Sequence, residues 1–158
     1  MKKRCFLFMS FFCLMAQLCF SQTKILFVTA DNQWAKLESH NEGMDEYMSN
    51  AFAYVFMRNG YAVYIQHPDK YTETNGDDMD YIVEVRYSIE KLKGKHYAKR
   101  QKGAIFVTAR DARTGQVMCM YESPRRSRST LMRNNTEYAQ DFYSKFRYAE
   151  KAQQRRVE

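Results

Sequence analysis

The stretch FMRNGYAVYIQ, residues 56–66, contains the boundary between a predicted helix and a predicted strand. Before it, apolar residues recur at helical spacing, which predicts a helix from Met44 to Asn59. Gly60 follows at once, in the position where helices commonly end on a left-handed residue. The run YAVYIQ, which begins at Tyr61, then predicts a strand. One short segment therefore holds a helix end, its cap and the start of a strand.

Another apolar run, KILFVTA at residues 24–30, precedes this helix. It is apolar on both faces, which predicts a strand that is buried on both sides and central in its sheet. A right-handed crossover through the helix would make this strand parallel to the one at Tyr61. The chain is therefore expected to open with a β-α-β unit.

Three further strands are predicted downstream. In DYIVEVRYS, residues 80–88, apolar and charged positions alternate as in a half-buried strand. The runs AIFVTAR (104–110) and QVMCMYE (116–122) flank DARTG (111–115), whose Asp and Gly suit a hairpin turn. These segments predict an antiparallel meander after the β-α-β unit.

The C-terminal segment predicts a helix that packs on the sheet. Phe142, Phe146 and Ala149 lie on one helical stripe, and Asn134 and Glu137 have the spacing of a capping pair. We therefore expect one α+β domain over residues 22–152, followed by a disordered basic tail at 153–158.

The first 21 residues have the pattern of a secretory signal. Basic residues at positions 2–4 precede an uncharged apolar run from 6 to 20. About 15 apolar residues fall short of the roughly 20 that a transmembrane helix needs. Cleavage is expected after Ser21, which predicts an exported protein of the periplasm or the cell exterior. A lipoprotein anchored through Cys19 is the less favoured alternative, because bulky Leu18 precedes that cysteine.

Composition restricts the chemistry of the exported chain. The signal carries three of the 25 Lys and Arg and none of the 18 Asp and Glu, which leaves a formal charge of +4. Only Cys119 of the four cysteines remains, so no internal disulfide can form. No two glycines have nucleotide-loop spacing, and the histidines at 40, 67 and 96 are far apart. We therefore expect neither a metal nor any other cofactor.

Three segments, FMRNGYAVY, DMDYIVEVRYS and ARDARTGQVM, occur in the order found in a group of bacterial envelope domains. On these segments, roughly residues 24–149 resemble the TolB amino-terminal domain and the curli-secretion type of outer-membrane lipoprotein. The resemblance implies an α+β periplasmic binding or assembly factor, and it transfers no catalytic residue. The chain departs from the lipoprotein members because Leu18 stands before Cys19.

Two basic stretches are the main candidates for binding. KLKGKHYAKRQKG (91–103) contains no acidic residue, and PRRSRS (124–129) follows the last predicted strand. If both emerge at one end of the sheet, they would bind an anionic lipid or lipopolysaccharide surface, or an envelope protein. Export makes nucleic acid an unexpected partner, and the alternative is a solvated loop that keeps the protein soluble. The candidate binding residues are Lys91, Lys93, Lys95, Tyr97, Lys99, Arg100, Lys102, Arg125, Arg126 and Arg128.

Other residues offer weaker alternatives. A small hydrolase is one: Asp31 would lie beside His67 and Asp69 at the ends of the two parallel strands, where a carboxylate could orient an imidazole base. Because no nucleophile or oxyanion donor is identified, turn and loop roles are favoured and no enzyme is expected. A tyrosine platform for sugars or a partner protein is a further alternative, formed by Tyr61, Tyr64, Tyr81 and Tyr87.

Overall fold

The computed structural model describes residues 22–29, 42–66, 78–90 and 102–157. The strands are β1 (Lys24–Thr29), β2 (Ala62–Gln66), β3 (Tyr81–Glu90), β4 (Lys102–Asp111), β5 (Val117–Glu122) and β6 (Arg126–Ser127). The helices are α1 (Glu42–Arg58), α2 (Arg128–Arg133) and α3 (Asn135–Val157). The predicted signal segment lies outside the described residues. Within them, no helix is both long and apolar enough to cross a membrane.

The strands form one mixed sheet in the order β2-β1-β3-β4-β5, and β6 pairs with β4. Strand β1 is parallel to β2 and to β3, whereas β3, β4 and β5 form an antiparallel meander. This confirms the predicted α+β fold, with a β-α-β unit, a meander and a C-terminal helix on the sheet. The sequence reasoning missed β6 and α2, two short elements between β5 and α3.

The hydrophobic core lies between the sheet and helices α1 and α3. Period-two alternation turns every second residue of the central strands toward these helices. The buried strand residues of this face include Ile25, Phe27, Val83, Val85, Ile105 and Val107. From the helices, Phe52, Phe56, Phe142 and Phe146 complete the core, and none of the four is exposed. The opposite face of the sheet carries the intervening residues, among them Ser88 and Phe106.

Two predicted turns depend on glycine. Gly60 has a φ of +88° after α1, and its backbone N–H donates to the carbonyl oxygen of Met57. Gly115 has a φ of +69° in the β4–β5 hairpin, and its N–H donates to the carbonyl oxygen of Asp111. Side chains rarely tolerate such φ values, so glycine sets both turns. The predicted cap and hairpin are confirmed.

Helix α3 runs past Ala152, where the sequence placed the start of a tail, and ends at Val157. A tertiary contact accompanies this extension, because the Gln153 side-chain amide donates to Asp111 at 2.9 Å. At the other end, the side-chain amide of Asn134 donates to the carboxylate of Glu137 at 3.3 Å, so the two residues of the predicted capping pair are in contact through their side chains.

Asp111 organises the β4–β5 turn through its carboxylate. One oxygen accepts the backbone N–H groups of Arg113 at 3.0 Å and Thr114 at 2.8 Å, and also the Thr114 hydroxyl. The other oxygen accepts the amide of Gln153. The backbone N–H of Thr114 is the main cause that lowers the pKa of Asp111. Hydrogen bonds from the turn and from α3 therefore both favour the ionised form of the Asp111 carboxylate.

We expect Asp111→Asn to lower the free energy of unfolding by about 1 kcal/mol at neutral pH. Because the pKa of Asp111 is lower in the folded state, this stabilisation is complete above the unfolded value of about 3.9. It is lost as the pH falls through the folded pKa. Urea unfolding at neutral and acidic pH should therefore show that the free energy of unfolding falls less in acid for the variant than for the unmodified protein. Asp78→Asn, at an exposed site, is the control. If the free energy of unfolding fell equally in acid for both variants, the stabilising role of the Asp111 carboxylate would be contradicted.

Candidate functional site

The structure describes four of the ten predicted binding residues, namely Lys102, Arg125, Arg126 and Arg128. The predicted residues at positions 91–100 lie outside the described part of the chain. So do the hydrolase candidates Asp31, His67 and Asp69, and that alternative stays a prediction.

The pairing of β6 with β4 places the second basic stretch beside the last two residues of the first. Lys102 pairs with Ser127, and Gly103 pairs with Arg126. The common end that was predicted for the two basic stretches stays a prediction for residues 91–101, and only Lys102 and Gly103 of the first stretch are described.

Ser123 explains how the chain reaches this position after β5. Its backbone N–H donates to the carbonyl oxygen of Ile105, and its hydroxyl accepts the Ile105 N–H at 2.9 Å. Pro124 has no N–H to continue the ladder. The hydroxyl of buried Ser123 therefore accepts the β4 N–H group that has no partner where the edge strand is interrupted. Two residues after Pro124, β6 pairs with β4 again.

Lys102 and Arg125 line a small cavity on the face of the sheet opposite the core. Its volume is about 200 Å³, and its other lining residues are Ser88, Gly103, Ala104 and Phe106. Ser88 is the direct partner of Ala104 in the β3–β4 ladder. The cavity thus combines two cationic side chains and a hydroxyl with an apolar wall.

Gly103 allows the close approach that shapes this cavity. A Cβ atom there would lie 2.6 Å from the carbonyl oxygen of Ser88 and 2.8 Å from the Tyr87 hydroxyl. Contacts this short would force the backbone of β3 away from β4. The absence of a side chain at Gly103 therefore permits the close approach of β3 to β4 at Tyr87 and Ser88.

Charged residues of both signs lie near the cavity, and Glu90 is the direct partner of Lys102 in the β3–β4 ladder. The guanidinium of Arg86 lies 5.7 Å from the centre of the Phe106 ring, and Arg86 and Phe106 are ladder partners. Glu122 is exposed on β5 opposite Phe106. The other arginines lie outside the cavity: Arg126 donates to the Arg125 carbonyl oxygen, and Arg128 begins α2. The four predicted residues are thus adjacent, but only two share a cavity.

A larger groove of about 630 Å³ lies between β5 and α3, and Cys119 is among its lining residues. Burial raises the pKa of the Cys119 thiol to about 11, although Lys145 opposes this increase. The thiol therefore stays protonated at neutral pH and is a poor nucleophile. Among the described residues, no three His, Cys, Asp or Glu side chains are grouped to hold a metal ion.

The tyrosine platform considered from the sequence is wrong as a surface feature. Tyr61 and Tyr87 are buried, at 6% and 7% exposure, and Tyr81 packs edge-on against Phe146. Only Tyr64 of the four is exposed, on the edge strand β2. The reason is register: the tyrosines of β3 alternate onto the helix-covered face.

Sequence reasoning also missed Ser88, Phe106 and Arg86 as neighbours of the basic residues. The alternation in β3 places Arg86 and Ser88 together on one face. Their proximity to Phe106 and Lys102, however, depends on the β3–β4 register. No local feature of the sequence indicates that register.

No protein-family model matches this sequence, and no curated protein matches it. Several solved structures are similar to the chain at low sequence identity. The chain is 14% identical to a PelC dodecamer from Paraburkholderia phytofirmans, with 79% of this chain and 87% of that chain covered and a TM-score of 0.50. A neuraminyllactose-binding hemagglutinin homolog from Helicobacter pylori is 7% identical, with 84% and 92% covered and a TM-score of 0.49.

A lipoprotein from Neisseria meningitidis is 13% identical, with 68% of this chain and 83% of that chain covered and a TM-score of 0.39. These neighbours are bacterial proteins of envelope type, and their similarity to this chain is weak. The narrower resemblance to TolB and the curli-secretion lipoproteins is not shown. What the comparisons establish for this chain is its fold.

Proposed function

We propose that this protein is an exported, non-enzymatic envelope protein that binds an anionic envelope component through its basic end. The basic end is defined as Lys102, Arg125, Arg126 and Arg128. One observation carries the proposal: β6 pairs with the start of β4 and so places the arginines of the second basic stretch beside Lys102. The envelope type of the fold neighbours is compatible with this role.

Charge and exposure support binding at a surface. All four side chains of the basic end are exposed, and residues 123–134 contain no Asp or Glu. Each Lys or Arg held near an anionic membrane contributes about 1 kcal/mol. Four such residues would together change the affinity by roughly 100-fold or more. Because the residues are exposed, salt should weaken the interaction strongly.

Co-sedimentation with vesicles tests this proposal directly. We expect the protein to bind phosphatidylglycerol vesicles at low salt and to bind neutral phosphatidylcholine vesicles poorly. Replacing all four residues of the basic end with Glu should weaken the first interaction by roughly 100-fold or more. The thermal unfolding midpoint should change little, because these side chains are exposed.

A matched variant separates local binding from net charge. Arg58, Arg113, Lys151 and Arg155 are also exposed, and their replacement with Glu changes the net charge by the same amount. This control should keep most of the vesicle binding. Equal losses in the two variants would show that only overall charge matters. Unchanged binding in the basic-end variant would overturn the proposal and leave a partner protein as the next candidate.

A further inference from the structure

Strand β5 forms an edge of the sheet among the described residues, because β4 pairs with one of its sides and no described strand pairs with the other. In an antiparallel ladder, alternate residues direct their N–H and C=O groups away from the partner strand. The backbone N–H of Ser123 donates to the carbonyl oxygen of Ile105 in β4. Residues at an odd separation from Ser123 therefore direct these groups outward, and in the regular part of β5 they are Met120 and Glu122.

The side chains of β5 do little to discourage pairing with another strand. Edge strands are commonly protected by lysine, proline or a bulge. Residues 117–121 are uncharged, and Glu122 is the one charged residue of the strand. Val117 is 45% exposed and Met120 is 67% exposed. A register shift affects only the start of β5, so the rest of this edge is regular.

The groove of about 630 Å³ between β5 and α3 lies beside this edge. It is open because α3 lines it with the small residues Ser144, Ala149 and Ala152. Val117 from β5 and Tyr148 from α3 add exposed apolar surface, and Tyr148 is 81% exposed. A strand that paired with β5 would direct every second side chain toward the helices, and so into this groove. Backbone pairing and side-chain burial would thus act together.

We propose that the edge of β5 and the β5–α3 groove bind an extended segment of a partner protein, with apolar side chains at alternate positions and at least one acidic residue. The segment would add a strand to the sheet, and its apolar side chains would fill the groove. This inference goes beyond the proposed function, because it involves a surface other than the basic end and a protein partner.

A second copy of this chain does not fit the groove. The side chains of its β5 that would face the groove already pack against its own α3: Tyr121 is 7% exposed, and its ring lies 6.3 Å from that of Phe142. The other edge strand of such a copy, β2, is covered on the same face by α1. The occupant must therefore have both faces free, which an extended peptide segment provides.

Basic side chains of α3 lie along the groove. Lys145 lines it and forms no ion pair with any residue that the structure describes. Lys151 and Arg155 flank Ala152 on the same helix, one directly before it and the other one turn after it, and both are exposed. The helix wall of the groove thus carries three positive charges.

Two carboxylates offset part of this charge, and a third lies on the other face of the sheet. Asp111 lines the groove and already accepts hydrogen bonds within its own turn. Asp141 accepts the hydroxyl of Tyr121 at 3.5 Å. Glu122 follows Tyr121 and so faces the opposite side of the sheet. Three positive charges against two negative ones on the groove side favour an acidic residue there over a basic one.

The probe for this site is the peptide acetyl-Glu-Thr-Val-Thr-Val-Thr-Glu-amide. In an extended strand its glutamate and valine side chains share one face, and its threonines share the other. Titration of the isotope-labelled protein with this peptide should give saturable shifts of the amide signals of β5 and of α3 around Ala152. A version in which lysine replaces both glutamates should bind more weakly, and tighter binding of the lysine version would overturn the acidic preference.

A variant that fills the groove tests where the peptide binds. Ala152→Leu places a larger side chain in the groove, and leucine is favourable in a helix. Gln154→Leu is the matched control, because it introduces the same side chain at an exposed position that does not line the groove. We expect Ala152→Leu to weaken peptide binding about tenfold or more, and Gln154→Leu to leave it unchanged. Equal binding by the two variants would overturn the proposal.

Pairing of the peptide backbone is tested on the unmodified protein, so the result does not depend on the folding of a variant. N-methylation of the threonines removes the N–H donors from one edge of the peptide strand, and N-methylation of the valines removes donors from its other edge. At least one of these two peptides should bind about tenfold more weakly than the parent. If both bound as tightly as the parent, no strand would be added and the proposal would be wrong.

Light scattering distinguishes a partner segment from a second copy. We expect the unmodified protein and Ala152→Leu to have the same mass in solution. Self-association that Ala152→Leu abolishes would assign the edge to a second copy and overturn the partner segment. Replacing the basic end with Glu should leave peptide binding unchanged, and vesicle binding should survive Ala152→Leu. The two proposals can therefore fail independently.

Discussion

Replacing Phe56 with alanine should lower the free energy of unfolding by about 3–5 kcal/mol. Phe56 lies on α1, is fully buried, and is central to the aromatic core. Its ring lies 5.1 to 5.9 Å from five others, which come from β1, the segment before β2, and α3: Phe27, Tyr61, Phe142, Tyr143 and Phe146. The substitution would leave a cavity among rings that belong to different elements, so neighbouring side chains cannot easily fill it.

Met57 provides the control for this experiment. It follows Phe56 on the same helix, but its side chain is 51% exposed. Met57→Ala should therefore change the free energy of unfolding by no more than about 0.5 kcal/mol. Urea unfolding followed by circular dichroism measures both variants. A similar loss for the two would mean that helix formation, rather than the packing of Phe56, determines stability.

The fold was largely predictable because its signals are local. The alternation in residues 81–88 reflects one buried and one partly exposed face of β3, and this pattern is present in the sequence itself. Gly60 and Gly115 mark turns that need a positive φ. A parallel β1–β2 pair follows from the β-α-β order, because a helix that crosses over the sheet returns the chain to the end where β1 began. These features need no knowledge of distant contacts.

The elements that the sequence did not predict depend on distant partners. Strand β6 has two residues, and its pairing with Lys102 and Gly103 requires Ser123 to satisfy the backbone of Ile105. Arg126 and Ser127 have no apolar alternation that would indicate a strand. The extension of α3 past Ala152 likewise coincides with a contact to another element, the bond between Gln153 and Asp111.

The positive charge of the candidate site was predictable from the sequence, but the shape of its cavity was not. The basic composition around Lys102 and Arg125 is evident in the sequence, and β6 explains why the second basic stretch lies beside Lys102. The cavity itself needs Ser88 and Phe106, which the β3–β4 register supplies. Register is a property of paired strands, so a pattern read along one strand does not contain it.

Glu150 carries the second large predicted effect, because it is a buried carboxylate that joins α3 to the start of β2. It is only 2% exposed and accepts a hydrogen bond from the Tyr61 hydroxyl at 2.7 Å. Arg147 donates to Glu150 and also to the Tyr61 oxygen. Burial, together with the hydrogen bond to Glu150, raises the pKa of Tyr61, so this hydroxyl stays protonated and donates.

We expect Glu150→Ala to lower the free energy of unfolding by about 2–4 kcal/mol. The Tyr61 hydroxyl would lose its acceptor inside the core, which is costly, whereas Arg147 is 41% exposed and can turn to water. Tyr61→Phe should cost only about 1 kcal/mol, because Glu150 keeps Arg147 as its partner. In the double variant no unpaired hydroxyl remains, so its loss should be smaller than the sum of the two single losses. Strict additivity in urea unfolding would show that Glu150 and Tyr61 act independently, and would exclude this cluster as the link between α3 and β2.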